Sequence, residues 1–129
     1  MIDVVSDSCM SDSVSPVSKV CDGIGTEVPV EAILSIDKAQ RMAEFFGVLG
    51  DPNRWRILSA LALGEMRVGE LAEAVDMTES AVSHQLRVLR TMRLVSYQKR
   101  GRSVYYCLKD NHIFNLYREA SEHLDEPDE

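Results

Sequence analysis

Two histidines and two carboxylates near the end of the chain are residue types that bind divalent metal ions. They are Asp110, His112, His123 and Glu126. His112 and His123 are eleven residues apart, so on a helix they differ by only about 20° in rotation and share one face. The same spacing separates them by about 16 Å along the helix axis. One helix therefore cannot close a single metal site with both histidines.

An antiparallel second copy of the same helix would remove this problem of distance. It would bring the His123–Glu126 end of one copy to the Asp110–His112 end of the other, and the two-fold axis would create two equal sites. Each site would have two nitrogen and two oxygen ligands, which suits tetrahedral zinc. Without thiolate, a soft ion such as Cu(I) is disfavoured, whereas Co(II) could substitute for zinc. Such a closed ligand set fits sensing better than catalysis.

The residues alone leave simpler interpretations of these four side chains open. Two histidines on a helix are often surface or capping groups. Asp110 could be only the N-cap of its helix. Glu126 could belong to an acidic tail at the end of the chain.

A second chemical feature is a segment without acidic residues, from Ser80 to Lys109. It contains seven basic side chains, whereas the net charge of the whole chain is −7, so the remaining residues carry −14. Charge segregated in this way indicates an anionic partner for one surface, and nucleic acid is the usual one. The alternative is a basic face that only interacts with solvent.

The elements that must position these residues follow from hydrophobic periodicity and from capping residues. Five helices are predicted: from Pro29 to about Leu49, from Pro52 to about Leu63 with Asp51 as N-cap, around 68–75, over 79–91 with Thr78 as N-cap, and over 111–125. Two strand-like runs, 94–97 and 104–108, flank a basic turn at 98–103 and predict a β-hairpin.

Helix, tight turn, helix and hairpin in this order form a winged helix-turn-helix. Its second helix, called the recognition helix, enters the major groove of DNA and here corresponds to 79–91. The predicted fold class is therefore mainly α with a β-hairpin wing, as a homodimer, because a small domain often extends its core by dimerising. Short hydroxyls, an amide, an imidazole and cations suit base edges and phosphates. The predicted DNA contacts are Ser80, Ser83, His84, Gln85 and Arg87 in the helix, and Lys99, Arg100 and Arg102 in the wing.

The composition predicts one domain with tails. Residues 1–28 read as a flexible N-terminal arm, 29–126 as the DNA-binding and dimerisation domain, and 127–129 as an acidic tail. Three cysteines are too few for a disulfide scaffold and indicate a reducing compartment, by default the cytoplasm. No apolar run predicts a membrane span or a signal peptide.

Three strings resemble the ArsR/SmtB family of metal-responsive repressors, in its zinc-sensing branch. They are Asp-Pro-Asn-Arg at 51–54, Glu-Ser-Ala-Val-Ser-His-Gln-Leu-Arg at 79–87 and Gly-Arg-Ser-Val-Tyr-Tyr at 101–106. The resemblance covers residues 31–126 and implies a homodimer that binds operator DNA and releases it when an inducer binds. It also implies that Asp110, His112, His123 and Glu126 match the family's interhelical sensor pattern Asp-x-His…His-x-x-Glu, with zinc as inducer. His123 would donate its other ring proton to the main chain near Arg93.

The resemblance also implies a second type of metal site. In it, an N-terminal cysteine or histidine joins the cysteine of a Glu-Leu-Cys-Val-Gly-Asp motif in the helix before the recognition helix. Here the corresponding string at 65–70 reads Glu-Met-Arg-Val-Gly-Glu, so Arg67 stands in place of that cysteine. An arginine cannot ligate a metal ion and repels it. Cys9 and Cys21 remain as a weaker candidate site without their usual partner, and Cys107 is expected to be a small packed residue.

Three rival functions remain at this level. A thiol, redox or soft heavy-metal sensor of the same fold would use Cys9 and Cys21. A small metalloenzyme is not expected, because no nucleophile–base pair stands out and no small-molecule substrate is implied. A dimerisation module without DNA binding would show no salt-dependent affinity for DNA, unlike a strongly basic surface.

Overall fold

The computed structural model describes residues 29–127. The predicted N-terminal arm, 1–28, and the last two residues of the predicted acidic tail lie outside this range. The chain divides into two compact units, Met1–Phe45 and Phe46–Glu129. None of the helices in the described part is long and apolar enough to cross a membrane.

A short 3-10 helix, Val30–Ala32, precedes helix α1, Ile36–Val48. The periodicity predicts one continuous helix from Pro29 onwards. Its predicted start is wrong, because the α-helix begins only at Ile36. The Ser35 hydroxyl accepts a hydrogen bond of 3.1 Å from the Lys38 amide. Ser35 therefore caps α1 and sets its first residue.

Three helices of the second unit form the helix-turn-helix region. They are α2, Pro52–Ala62, α3, Val68–Val75, and α4, Glu79–Thr91. The Asp51 side chain accepts a hydrogen bond from the Asn53 amide at 2.8 Å, with Pro52 at the first helical position. The Thr78 hydroxyl accepts one from the Ala81 amide at 3.0 Å. Both caps confirm the helix starts that the sequence predicted.

The core of the second unit consists of aliphatic side chains from these helices and from the start of the hairpin. Its fully buried members are Ile57, Leu58, Leu71, Val82, Leu86, Leu89, Leu94 and Val95. Val82, Leu86 and Leu89 recur at steps of three and four residues, so one face of α4 lies in the core and the other remains at the surface. Leu63, which the pattern counted among the apolar positions of α2, lies just past the helix end and is 86% exposed.

The strands β1, Val95–Arg100, and β2, Ser103–Leu108, form an antiparallel hairpin, which confirms the predicted wing. The predicted six-residue turn was too long, because the ladder continues until Arg100 pairs with Ser103. Only two residues separate the strands. The first of them, Gly101, has φ 63°, a left-handed conformation that glycine adopts at little cost.

Helix α5, Asn111–Asp125, follows the hairpin, as predicted. Asp110 caps it, because Oδ1 accepts a hydrogen bond of 3.2 Å from the Ile113 amide. The helix stops before Glu126, which is extended because a proline follows it. Ile113 is buried, whereas Leu124 on the predicted apolar side is 81% exposed.

Candidate nucleic-acid interface and metal ligands

The surface of α4 carries most of the side chains predicted to contact DNA. Ser80, Ser83, His84 and Arg87 are all exposed. They lie between the buried positions of the same helix, so α4 presents hydroxyl, imidazole and guanidinium groups to solvent. These groups can bond to phosphate oxygens and to base edges.

Gln85 differs from its neighbours, because its side chain is half-buried and already bonded within the chain. The Nε–H group of Arg54 donates a hydrogen bond of 2.8 Å to Oε1 of Gln85. A guanidinium can only donate, so the Gln85 atom that faces Arg54 must be the carbonyl oxygen. The bond leaves the two amide N–H groups of Gln85 for another partner.

Arg54 connects the recognition helix α4 with two other elements. Its Nη1 donates to the Val48 carbonyl at the end of α1 at 2.9 Å, and its Nε lies 3.8 Å from Oδ2 of Asp51. The side chain is only 20% exposed. In the sequence, Arg54 stands out only as the last residue of the string Asp-Pro-Asn-Arg, which gives no sign that its side chain holds Gln85.

The three predicted wing contacts have unequal surroundings. Lys99 and Arg102 are exposed near the hairpin tip, and neither takes part in an ion pair with another of residues 29–127. Arg100 instead donates two hydrogen bonds to the Glu65 carboxylate, from Nη1 at 2.6 Å and from Nη2 at 2.9 Å. Its guanidinium carbon also lies 4.8 Å from the centre of the Tyr105 ring. No periodicity links Glu65 to Arg100, and sequence reasoning missed this contact.

The predicted metal ligands form two pairs at opposite ends of α5. At its start, Nδ1 of His112 lies 3.5 Å from Oδ2 of Asp110, and at its end Nδ1 of His123 lies 3.7 Å from Oε1 of Glu126. The histidines are 75% and 80% exposed. The capping bond of Asp110 uses its other oxygen, so the cap and the histidine contact do not compete.

The chemistry of these pairs fits zinc, although one chain holds only half a ligand set at each end of α5. Each pair offers one imidazole nitrogen and one carboxylate, which is half of a tetrahedral zinc set. No group of three or more histidine, cysteine and acidic side chains in residues 29–127 is arranged to hold a metal ion. The structure thus brings together the members of each pair, but not the two pairs.

The suggested link from His123 to the recognition helix is not formed within the described chain. Arg93 follows the end of α4 with a left-handed φ of 63°. The next amide, of Leu94, donates back to the Leu89 carbonyl at 2.9 Å. Among residues 29–127, Nδ1 of His123 lies 3.7 Å from Oε1 of Glu126, and no hydrogen bond joins His123 to the main chain at Arg93.

The second candidate metal site falls largely outside the described residues, because Cys9 and Cys21 belong to 1–28. The described part of that site is Arg67, which is paired with Glu70 at 3.3 Å. The hydrogen bond that Arg67 donates to the Glu70 carboxylate raises the pKa of Arg67, so this side chain remains a cation. Cys107 is half-buried in β2, in keeping with a packed residue.

Comparison with known proteins gives matches along most of the described part of the chain. The sequence model of a family described as "Bacterial regulatory protein, arsR family" matches residues 51–97. The "Transcriptional repressor SmtB homolog" of Synechocystis sp. is 58% identical over 96 residues, which cover 74% of this chain and 73% of the relative. The "HTH-type transcriptional regulator NmtR" of Mycobacterium tuberculosis is 46% identical over 96 residues, which cover 72% of this chain and 80% of that relative.

Solved structures confirm the fold. The solution structure of apo-NmtR superposes with a TM-score of 0.64 at 40% identity and covers 84% of this chain and 93% of that one. A homodimeric winged helix-turn-helix DNA-binding domain from Mycobacterium bovis, described as a possible ArsR-family transcriptional regulator, superposes with the same TM-score of 0.64 at 28% identity. It covers 76% of this chain and 97% of that one. The winged helix-turn-helix architecture is therefore shared with these proteins.

Proposed function

The chain belongs to the ArsR family of bacterial regulatory proteins, and we propose that it is a metal-sensing repressor that binds operator DNA as a homodimer. In the proposed cycle, the metal-free dimer binds DNA and releases it when zinc binds between the terminal helices. The relatives are transcriptional regulators, which confirms the expectation that the chain is not an enzyme. One observation carries the proposal: the same chain combines an exposed polar face on α4 with two histidine–carboxylate pairs on α5.

DNA binding would use α4 in the major groove and the hairpin beside it. The proposed contacts from α4 are Ser80, Ser83, His84 and Arg87, with Gln85 acting through its amide N–H groups. From the wing, Lys99 and Arg102 would reach the phosphate backbone or the minor groove. Membership of a DNA-binding family supports this assignment, as does a segment from Ser80 to Lys109 without a single carboxylate.

The metal sites would be shared by two copies of the chain. Antiparallel packing of two α5 helices would join the Asp110–His112 pair of one copy to the His123–Glu126 pair of the other, giving two equivalent sites. Bound there, zinc would supply bonds that tie the two helices together. Asp110 would contribute by fixing the start of α5 while it keeps Oδ2 next to His112. Leu124, exposed beside His123, offers apolar surface for the second helix to cover.

Zinc is proposed because the four groups form a nitrogen–oxygen set without thiolate. Zinc accepts such a set in tetrahedral geometry, and Co(II) accepts the same ligands. A soft ion such as Cu(I) would find no sulfur ligand among these four residues.

Release of DNA would follow from the spacing of the two recognition helices. A dimer matches its operator when its α4 helices are about one DNA turn, roughly 34 Å, apart. A dimer with joined terminal helices would hold them at a spacing that no longer matches. By linkage, DNA would then weaken zinc binding by the same factor by which zinc weakens DNA binding.

The test is DNA binding by the purified chain on its own upstream region, at fixed salt and increasing zinc. We expect binding to be lost at about one zinc per protomer, the number that two equal sites per dimer require. His112→Ala and His123→Ala should remain dimers that bind DNA at every zinc concentration. Zinc-induced release in both variants would rule out the site on α5. Loss of the response in Cys9→Ser or Cys21→Ser alone would support the thiol-based sensor instead.

A further inference from the structure

The most constrained cation of the wing is Arg100. Its two hydrogen bonds to Glu65, at 2.6 and 2.9 Å, form a two-point contact between guanidinium and carboxylate. Such a contact fixes the orientation of the side chain as well as its distance. Lys99 and Arg102, its neighbours near the hairpin tip, have no comparable ion pair in the part of the chain that the structure describes.

Further contacts hold the same guanidinium. Its Nη2 also donates to Oε1 of Gln98 at 2.9 Å, and its Cζ lies over the Tyr105 ring, 4.8 Å from the ring centre. Cation–π contact adds to the ion pair because the face of the ring carries partial negative charge. Both terminal nitrogens of Arg100 are thus engaged, although the side chain remains 48% exposed.

Glu65 and Arg100 each stabilise the charged form of the other. The hydrogen bond from Arg100 lowers the pKa of Glu65, and the same bond raises the pKa of Arg100. Both groups therefore stay ionised at neutral pH, and the pair has no net charge. A phosphate that replaced Glu65 would leave an unpaired carboxylate close to DNA, so the exchange is disfavoured.

The pair closes a second connection between the hairpin and the loop that precedes α3. Met66, next to Glu65, forms two backbone hydrogen bonds with Tyr106 in β2, at 3.0 and 2.8 Å. Arg67 lies 6.0 Å from the centre of the Tyr105 ring. We call these contacts of residues 65–67 with the hairpin the wing anchor. Attachment at two separate points limits rotation of the hairpin about either one.

We propose that Arg100 is a positioning residue of the wing anchor and not a phosphate contact, and that Lys99 and Arg102 are the DNA-facing cations of the wing. This inference rests on the proposed DNA-binding function. It divides three basic residues that look alike in the sequence into two roles. Glu65, an acidic residue outside the basic segment, becomes part of the DNA-binding apparatus through Arg100.

The experiment compares the salt dependence of DNA affinity in three variants, R100Q/E65Q, K99Q and R102Q. Each phosphate contact contributes about 0.9 to the slope of log affinity against log salt, so losing one contact per protomer should reduce the slope of a dimer by about 1.8. We expect this loss in K99Q and R102Q. The double variant R100Q/E65Q removes both charges of a neutral pair, so it should keep the wild-type slope, with at most a uniform decrease in affinity at all salt concentrations. R100Q alone would also leave the Glu65 carboxylate unpaired next to DNA, which is why the double variant is used.

A slope change in R100Q/E65Q as large as that in K99Q would overturn the proposal. Equal slopes in all four proteins would overturn it as well, because Lys99 and Arg102 would then not face DNA. If the wild-type chain shows no salt-dependent DNA binding, the proposed function fails instead, and the anchor can still be tested without DNA. Hydrogen exchange at the Met66 and Tyr106 amides should be faster in R100Q and E65Q than in K99Q, and unchanged exchange in both variants would disprove the anchoring.

Discussion

Arg54 donates a hydrogen bond of 2.8 Å from Nε to Oε1 of Gln85, and thereby joins the first turn of α2 to the recognition helix across 31 residues of sequence. The same guanidinium donates to the Val48 carbonyl at 2.9 Å. One side chain therefore connects the end of α1, the start of α2 and the middle of α4. If α4 moves relative to α2, this hydrogen bond must either break or be kept by a matching movement of the Arg54 side chain.

Breaking this contact from either side should lower stability, and the two effects should not add. We expect R54A to lower the free energy of unfolding by about 1.5–3 kcal/mol, the usual range for a hydrogen bond from a charged group. Q85A should cost less, because the bond from Arg54 to Val48 remains. The double variant should reveal a coupling of about 0.5–3 kcal/mol in urea denaturation. Strict additivity would show that the two side chains do not interact in solution.

Gln85→Glu separates the two roles of Gln85. A carboxylate can still accept the hydrogen bond from Arg54 but has lost both N–H donors. We expect Q85E to unfold close to the wild type, yet to lose about 1–3 kcal/mol of preference for its operator, the value of a good base contact. A scrambled duplex of equal length controls for the added negative charge. Unchanged preference would make Gln85 a positioning residue only.

Leu58 and Leu63 provide a matched pair for testing the end of α2. Leu58 is fully buried, whereas Leu63 is 86% exposed beyond the last helical residue. L58A should lower the free energy of unfolding by about 2–5 kcal/mol, because it removes core contacts and leaves a cavity. L63A should change it by less than about 0.5 kcal/mol. A large effect of L63A on the dimer would instead indicate that a second copy covers this leucine.

Acid should weaken the wing anchor through Glu65. Because the Arg100 hydrogen bond lowers the pKa of Glu65, its contribution to stability is fully present above the ordinary glutamate value of about 4.3 and is lost as the pH falls through the lower folded value. Denaturation of the wild type, E65Q and R100Q at a series of pH values tests this. Both variants should lack this part of the pH dependence and keep the part due to Glu70, whose pKa the Arg67 amide lowers. An E65Q profile that parallels the wild type would contradict the assignment.

Local signals in the sequence were sufficient for most of the helix boundaries. Asp51 and Thr78 accept hydrogen bonds from amides only two and three residues ahead, so their capping roles could be predicted without a fold. The start of α1 was missed because apolar spacing continued upstream of its actual cap, Ser35. The predicted turn at 98–103 is too long because its basic, glycine-containing composition is typical of loops, although charged side chains can also extend outward from a paired strand.

Two residues predicted to contact DNA, Gln85 and Arg100, are bonded to other side chains of the chain, and local sequence signals could not predict these contacts. Arg54 reaches Gln85 across 31 residues, and Arg100 reaches Glu65 across 35. Neither separation follows a helical or strand period, so only the packed fold brings these side chains together. Sequence reasoning therefore identified which residues are basic or polar near the recognition helix, but not which of them are already bonded within the chain.

Asp110 has two roles that one substitution can separate. Its Oδ1 caps α5 through the Ile113 amide at 3.2 Å, and its Oδ2 lies 3.5 Å from His112. Asparagine caps helices about as well as aspartate, but it lacks the carboxylate charge that a zinc ligand supplies. D110N should therefore bind zinc at least about tenfold more weakly, because losing even a residue that only hydrogen-bonds to a metal ligand weakens metal binding by about that factor. Its stability should fall by less than that of D110A, which loses about 0.5–2 kcal/mol with the cap.

Calorimetric zinc titration and urea denaturation of both variants, D110N and D110A, measure the two roles of Asp110 separately. If D110N binds zinc as tightly as the wild type, Asp110 is only a cap and the metal ligands must include another residue.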